Sequence, residues 1–192
     1  MYIRVAKTGT TSIQHALFPM NIYGPWTVYD DRVNTKIPGW DKNHKKDPNH
    51  YPMKKLKKIY GIKKWNEYFK FAFVRNPWDR CVSAWIYNTS KGYCKEMPLL
   101  DFLKQLKPRE INSKYLQQYK YTSGCDYIGR FENIQQDFDI ICDKLNVPHR
   151  ELPHDNPTKH KHYTEYYDDE TIRYVENRFK KDIDMFDYKF EK

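Results

Sequence analysis

The amino-acid sequence predicts an α/β fold in which a central parallel β-sheet is flanked by helices. The run FKFAFV, residues 69–74, is almost continuously apolar, as expected of a parallel strand buried on both faces. Patterns typical of a strand, a loop and a helix follow one another, in that order, near the amino terminus and again in the middle of the chain. The length of 192 residues fits one domain, residues 1–192, with a core of its own.

Polar and Pro-rich stretches separate the elements predicted in the first third of the chain. These elements are a strand at 2–5 (YIRV), a helix beginning at 11–17, a strand at 25–30 (PWTVYD), a loop at 35–52 and a short basic helix at 54–60. The strongly apolar strand at 69–74 comes next. Periodicity then predicts helices at 98–106, 134–145 and 168–186, with a strand at 126–132 between the first two.

The segment RNPWDR, residues 75–80, carries the clearest helix start in the chain. Asn76 can cap a helix, Pro77 suits the first helical position, and Asp79 places a negative charge in the first turn. Apolar residues then recur at helical spacing and predict a buried face. The sequence therefore predicts that the strand at 69–74 leads directly into a helix.

Composition limits the classes of function. The formal net charge is +9, which favours an anionic ligand or substrate. The four cysteines form no C-x-x-C pair, so neither a zinc site nor a dense disulfide framework is predicted. No apolar run reaches the roughly 18 residues that span a membrane, and no secretory signal is visible. We therefore expect a soluble or cytoplasmic protein without a transmembrane segment.

The first candidate site lies after the strand at 2–5, because ligands bind beyond the carboxyl ends of parallel strands. Gly9 allows a tight turn, and the amides at the start of the next helix favour an anion. Lys7 adds a positive charge, and four hydroxyl groups can add hydrogen bonds: those of Thr8, Thr10, Thr11 and Ser12. The segment KTGTTS therefore predicts a phosphate-binding loop, although an ordinary capped turn would use the same residues.

This loop differs from the common ATP-binding motif, in which the Lys follows the last Gly of a longer loop. Here Lys7 precedes Gly9, and no acidic residue stands clearly at a strand end to hold magnesium. A metal-dependent NTPase is therefore disfavoured, and no metal site is predicted.

The second candidate site lies after the strand at 69–74. Arg75 stands at the strand end, and Ser83 lies eight residues later on the following helix. The forked donor set of an arginine suits a phosphate. An ion pair between Arg75 and Asp79 is the alternative interpretation.

Together the two segments resemble a known family. AKTGTTSIQ resembles the 5′-phosphosulfate loop of sulfotransferases that use 3′-phosphoadenosine 5′-phosphosulfate (PAPS), and FAFVRNPWDRCVSAW resembles their 3′-phosphate segment. Later stretches, including YIGRFENIQQDF, resemble the carbohydrate sulfotransferase group, so the resemblance spans nearly the whole chain. One departure is Ala6, where many relatives have Pro.

The resemblance implies a P-loop-NTPase-like sulfotransferase fold and transfer of a sulfuryl group from PAPS to a hydroxyl or amine. The acceptor would be a carbohydrate, and 3′,5′-adenosine bisphosphate (PAP) would be the product. Lys7 would stabilise the leaving phosphate, and Arg75 and Ser83 would bind the 3′-phosphate. The residues at 7–12 would hold the phosphosulfate, and no metal would be required.

A base must take the proton of the acceptor. We predict His50 for this role, with His44 and Glu132 as alternatives. Glu132 is better explained as an ion-pair partner of Arg130 or as a helix cap. In the stretch TKHKHY, residues 158–163, a loop over the nucleotide or a solvated loop is favoured over a metal site.

The partner predictions follow from charge. The lysines between residues 42 and 70 favour an anionic glycan as acceptor, although a neutral glycan or a merely solvated surface is also consistent with them. Two other functions remain open on the sequence alone: an atypical P-loop kinase or NTPase, and a basic nucleic-acid-binding module. Under the leading hypothesis no nucleic-acid partner is expected.

Overall fold

A parallel β-sheet forms the centre of the computed structural model, which describes residues 1–17, 52–106, 117–153 and 161–191. Within these residues the sheet has three strands in the order β1 (Tyr2–Ile3), β2 (Phe71–Val74) and β3 (Tyr127–Arg130). Both neighbouring pairs are parallel, with Ile3 opposite Ala72 and Val74 opposite Arg130. The predicted α/β class with a parallel sheet is confirmed.

Seven α-helices flank the sheet in the described part of the chain. They are α1 (Thr10–Leu17), α2 (Met53–Glu67), α3 (Pro77–Ser90), α4 (Leu99–Gln105), α5 (Tyr119–Thr122), α6 (Ile134–Leu145) and α7 (Asp169–Phe186). Two 3₁₀ turns, Phe131–Asn133 and Tyr163–Tyr166, precede α6 and α7. The predicted strand at 25–30 and nearly all of the predicted loop at 35–52 lie outside the described residues.

Some predicted boundaries were wrong. β1 stops at Ile3 rather than at residue 5, because the Val5 carbonyl already accepts a hydrogen bond from the Thr8 hydroxyl in the following turn. The predicted helix end at residue 60 is confirmed, because Gly61, with a φ of 73° and a ψ of 156°, is non-helical and separates two helical pieces within α2. The second piece, which continues to Glu67, was not predicted.

The residues of β2 alternate between two faces of the sheet, as the pleat of a strand requires. Phe71 and Phe73 pack in a cluster with Ile13 of α1 and Phe138 of α6. Ala72 packs instead with a cluster that contains residues of β1 and α2. Val74 joins a third cluster, formed largely by α3, α4 and α7. Helices therefore cover both faces of β2, and its carboxyl end points toward the start of α3.

The start of α3 has the predicted cap. The Asn76 side-chain oxygen accepts hydrogen bonds from the amides of Trp78 and Asp79, and Pro77 occupies the first turn. At α7, Asp168 accepts a hydrogen bond from the amide of Thr171 in the same way. Local end signals in the sequence thus place both helices.

All four cysteines are free thiols: Cys81, Cys94, Cys125 and Cys142. None of the described helices is both long and apolar enough to cross a bilayer. In the described ranges, no three His, Cys, Asp or Glu side chains come together as a metal-binding group.

Candidate active site at the carboxyl ends of the strands

The two predicted phosphate-binding segments meet at one edge of the sheet. β1 leads into the turn that contains Lys7 and Gly9, and β2 ends immediately before Arg75. Because β1 and β2 are parallel neighbours, both segments leave the sheet at the same edge. The Nη1 atom of Arg75 lies 3.3 Å from the Lys7 carbonyl oxygen, across 68 positions of sequence.

The turn after β1 has an unusual backbone. Lys7 and Gly9 both have positive φ, at 68° and 71°. This conformation costs a lysine free energy, and such residues concentrate at binding and catalytic sites. The Thr8 side chain is fully buried and donates to the Val5 carbonyl at 2.9 Å, so its hydroxyl supports the turn itself.

Gly9 permits a close approach to α6 in addition to its backbone angle. A Cβ atom at this position would lie 2.4 Å from Cδ1 of Ile134, at the start of α6. The Gly9 carbonyl accepts from the amide of Ile13 at 3.1 Å, the first α-helical hydrogen bond of α1. The amides of Thr10, Thr11 and Ser12 therefore precede that bond, at the positive end of the helix dipole.

Two arginines hold the carbonyl groups of this turn. Arg80 of α3 donates from Nε to the Ala6 carbonyl at 2.9 Å, and Arg75 donates from Nη1 to the next carbonyl, that of Lys7. Both side chains are largely buried. These two arginine side chains, from the start of α3, therefore fix the backbone of the turn.

The Lys7 ammonium group lies in a partly desolvated position. Its Nζ atom is 4.1 Å from the centroid of the Tyr87 ring in α3, a cation–π contact. Burial, with a further contribution from the positive charge of Arg75, lowers the pKa of Lys7 from 10.5 to about 8. A bound anion would relieve both effects.

Arg75 is held on three sides. Its Nε donates to Asp79 at 2.7 Å, the ion pair that the sequence left open, and its guanidinium group lies 4.1 Å from the centre of the Phe131 ring. Its backbone is paired with the side chain of Gln118. Lys7, Arg75 and Asp79 together carry a net charge of +1, so the ion pair does not neutralise the site.

The remaining phosphate-site residues lie on α1 and α3. Thr10 and Ser12 are buried in the first turn of α1, while Thr11 is half-buried. Ser83 lies in the second turn of α3 and is only 1% exposed. The structure places these side chains on the two helices that border the site, and their role in phosphate binding stays a prediction.

Comparison with known proteins agrees with this arrangement. Residues 1–189 match the model of a sulfotransferase family. The chain belongs to the sulfotransferase family. A relative from Archaeoglobus fulgidus, an uncharacterized protein, is 31% identical over 94 residues, which cover 46% of this chain and 76% of the relative. No solved structure gives a significant match. The predicted family resemblance is confirmed, and membership supports a sulfotransferase activity.

Two of the three base candidates of this sulfotransferase, His44 and His50, lie outside the described residues. The third, Glu132, accepts hydrogen bonds from the Asn76 amide at 2.6 Å and the Tyr188 hydroxyl at 3.1 Å. Its alternative partner, Arg130, donates instead to the Phe186 carbonyl at 2.5 Å. Both Glu132 oxygens are thus used to join the start of α3 to the C-terminal segment.

Of the stretch TKHKHY, only residues 161–163 are described in this sulfotransferase. The His162 ring lies 4.7 Å from the Tyr163 ring, and its Nδ1 is 2.8 Å from the Thr164 hydroxyl. Five of the lysines proposed to favour an anionic acceptor are exposed among the α2 side chains that the structure describes: Lys54, Lys55, Lys57, Lys58 and Lys63.

Sequence reasoning missed several residues that shape this candidate site. Tyr87 shows only as one more aromatic residue of α3, and Arg80 only as the last letter of RNPWDR. Gln118 gives no signal at all, because its contacts join parts of the chain 43 positions apart. A search for polar residues at buried helical positions could have found Arg80.

Proposed function

We propose that this protein transfers a sulfuryl group from PAPS to a hydroxyl or amine of an acceptor, with a carbohydrate as the acceptor class. The proposal is supported above all by the convergence of Lys7 and Arg75 at one sheet edge, where Nη1 of Arg75 is 3.3 Å from the Lys7 carbonyl. A partly desolvated Lys7 and a buried Arg75, with a carboxylate paired to the arginine, favour a ligand that carries several negative charges.

Each end of the donor has its own part of the proposed site. Lys7 and the amides that begin α1 would hold the phosphosulfate, since a helix start with exposed donors favours an anion. Arg75 and Ser83 would bind the 3′-phosphate. The contacts of Arg75 with Asp79 and with the Lys7 carbonyl fix the plane of its guanidinium group in advance.

In the proposed reaction the acceptor oxygen or nitrogen attacks sulfur, and the bond between sulfur and the bridging oxygen of the 5′-phosphate breaks. The electron pair stays on that oxygen, which leaves as part of PAP. Lys7 neutralises the growing charge there, so it supplies what a metal ion supplies in many phosphoryl transfers. The acceptor's proton passes to a base, for which His50 is our first candidate and His44 and Glu132 are alternatives.

The acceptor proposal depends on the charge of α2. Its five exposed lysines form a positive helix surface that would attract an anionic glycan. A neutral glycan would gain nothing from this surface. We therefore propose an acidic carbohydrate, such as one that contains uronic acid or sulfate groups.

Calorimetric titration with PAP tests the donor, and an assay with labelled PAPS tests transfer. We expect Lys7→Ala and Arg75→Ala each to abolish transfer while circular dichroism shows an intact fold. Lys180→Ala is the matched control, because Lys180 is exposed on α7 and pairs only with Asp184 among the contacts described. An absence of PAP binding to the unmodified protein would refute the proposal. Magnesium-dependent ATP turnover would support a kinase or NTPase instead.

A further inference from the structure

A fully buried glutamine lies beside the proposed 3′-phosphate site. Gln118 is 0% exposed and stands just before α5. Its Oε1 accepts from the Arg75 amide at 2.9 Å, and its Nε2 donates to the Arg75 carbonyl at 2.8 Å. One side-chain amide therefore satisfies both backbone groups of Arg75.

These two hydrogen bonds replace a neighbouring strand. The ladder between β2 and β3 ends at the pair Val74–Arg130, so Arg75 lies one residue beyond it. A backbone residue in a strand would offer one donor and one acceptor to its neighbour. The glutamine amide offers the same pair from a single planar group, which neither a carboxylate nor an apolar side chain can do.

Gln118 is itself fixed from α7. The Asp182 carboxylate accepts hydrogen bonds from two backbone N–H groups, that of Gln118 at 2.7 Å and that of Tyr119 at 2.9 Å. Asp182 is also fully buried, and the positive charge of Arg80 acts on it. A continuous set of hydrogen bonds thus runs from α7 through Gln118 to the backbone of Arg75.

We propose that Gln118 is a positioning residue for Arg75 and sets the discrimination between nucleotides with and without a 3′-phosphate. Without the pair of bonds, the Arg75 peptide groups would be buried and unsatisfied, and the residue would shift to find other partners. Its guanidinium group would then leave the place defined by Asp79 and Lys7. This inference depends on the proposed function, in which Arg75 binds that phosphate.

The test compares two ligands in calorimetric titrations of the full chain: PAP, which carries the 3′-phosphate, and 5′-AMP, which lacks it. In the unmodified protein we expect PAP to bind more tightly than 5′-AMP. In Gln118→Met, which keeps the side-chain length and removes both hydrogen bonds, we expect the ratio of the two affinities to fall about tenfold. The affinity for 5′-AMP should stay unchanged, which a general loss of structure would not allow.

The adjacent residue provides the matched control. Gln117 donates from Nε2 to the Arg178 carbonyl at 2.7 Å, so it also joins this segment to α7 but makes no contact with Arg75. We expect Gln117→Met to keep the affinity ratio of the unmodified protein. An equal fall in Gln117→Met and Gln118→Met would overturn the inference, since the effect would then belong to the whole segment.

If Gln118→Met does not fold, Gln118→Asn serves in its place, because its amide is one methylene shorter and cannot reach both backbone groups of Arg75 in the same geometry. An unchanged ratio in either folded variant overturns the inference. Failure of the proposed function is distinguishable: the unmodified protein would then bind PAP no better than 5′-AMP.

Discussion

Lys7 combines three unfavourable conditions at a single residue. Its backbone has a positive φ of 68°, its ammonium group is partly desolvated, and the charge of Arg75 lies nearby. Each condition costs free energy in the folded state. A bound anion would offset the desolvation of the ammonium group and the repulsion from Arg75. The residue is therefore better suited to a ligand than to the stability of the fold.

The pH dependence of PAP binding tests this directly. With a pKa of about 8, Lys7 is charged below that pH and loses its charge above it. We expect the affinity for PAP to weaken as the pH rises from about 7 to about 9, by at most about tenfold per pH unit once the pH exceeds the pKa. Calorimetry at several pH values measures the slope.

Lys7→Arg is the control for this titration, because a guanidinium group stays charged throughout that range. Its affinity for PAP should change much less with pH. If the unmodified protein and Lys7→Arg show the same slope, the titrating group is not Lys7.

Gly9 gives a second prediction at the residue scale. In Gly9→Ala the new Cβ would meet Ile134 at 2.4 Å while the backbone is held at a positive φ. We expect a loss of about 2–4 kcal/mol in the free energy of unfolding and a weaker affinity for PAP. Chemical denaturation and calorimetry measure the two effects.

Gly92→Ala separates backbone strain from the clash. Gly92 has a similar φ of 69°, but none of the described residues comes within 4 Å of the place that an alanine Cβ would take there. We expect only about 1 kcal/mol of destabilisation and unchanged PAP affinity. Equal losses in the two variants would mean that Ile134 does not restrict the turn.

At the scale of elements, the segment 75–80 performs two tasks at once. Asn76 caps α3, while Arg75 and Arg80 on either side of the cap reach back to the turn after β1. The position of the helix start therefore also determines the position of the turn. A shift of α3 would move both arginines with it.

Asn76→Ala tests this connection. The substitution removes the acceptor for two helix amides and the donor to the Lys189 carbonyl at 3.2 Å. We expect a loss of about 1–3 kcal/mol in stability, measured by denaturation, together with a weaker affinity for PAP. Asp168→Ala removes the cap of α7 and should lower stability without changing PAP affinity. A stability loss in Asn76→Ala with PAP affinity intact would contradict the connection.

The sequence predicted those elements whose signals are local. The apolar run at β2, the Asn76 cap and the acidic start of α7 each depend on neighbouring residues, so pattern and structure agree there. The end of β1 was misplaced because it depends on a turn closed by Thr8. The pairing of Gln118 with Arg75 had no local signal, since no periodicity connects residues so far apart.

On the scale of the whole molecule, the C-terminal segment after α7 returns to the start of α3. The Tyr188 hydroxyl donates to Glu132, and the Lys189 carbonyl accepts from Asn76. The Phe190 ring packs edge-on against Trp78, with 5.7 Å between the ring centres. This segment is therefore anchored against the start of α3, next to Arg75.

Phe190→Ala measures the contribution of this anchoring to stability. Its ring also contacts the rings of Tyr163 and Tyr167 at 5.5 and 5.4 Å between centroids. We expect a loss of about 2–4 kcal/mol in the free energy of unfolding, from lost burial and ring contacts. Met185→Ala is the control, because Met185 is 57% exposed on α7 and should cost little. A loss no larger than that of the control would show that the segment is not anchored there.

The hydrogen bonds from two arginines to the carbonyls of Ala6 and Lys7 affect the electrostatics of the turn. In a trans peptide group the C=O and N–H bonds point in opposite directions, so holding the oxygen toward a guanidinium group turns the hydrogen the other way. The positive charge also draws electrons through the conjugated amide, which makes the N–H groups of Lys7 and Thr8 stronger donors. The two guanidinium groups thereby polarise the backbone of the turn, which favours an anion on the side to which these N–H groups point.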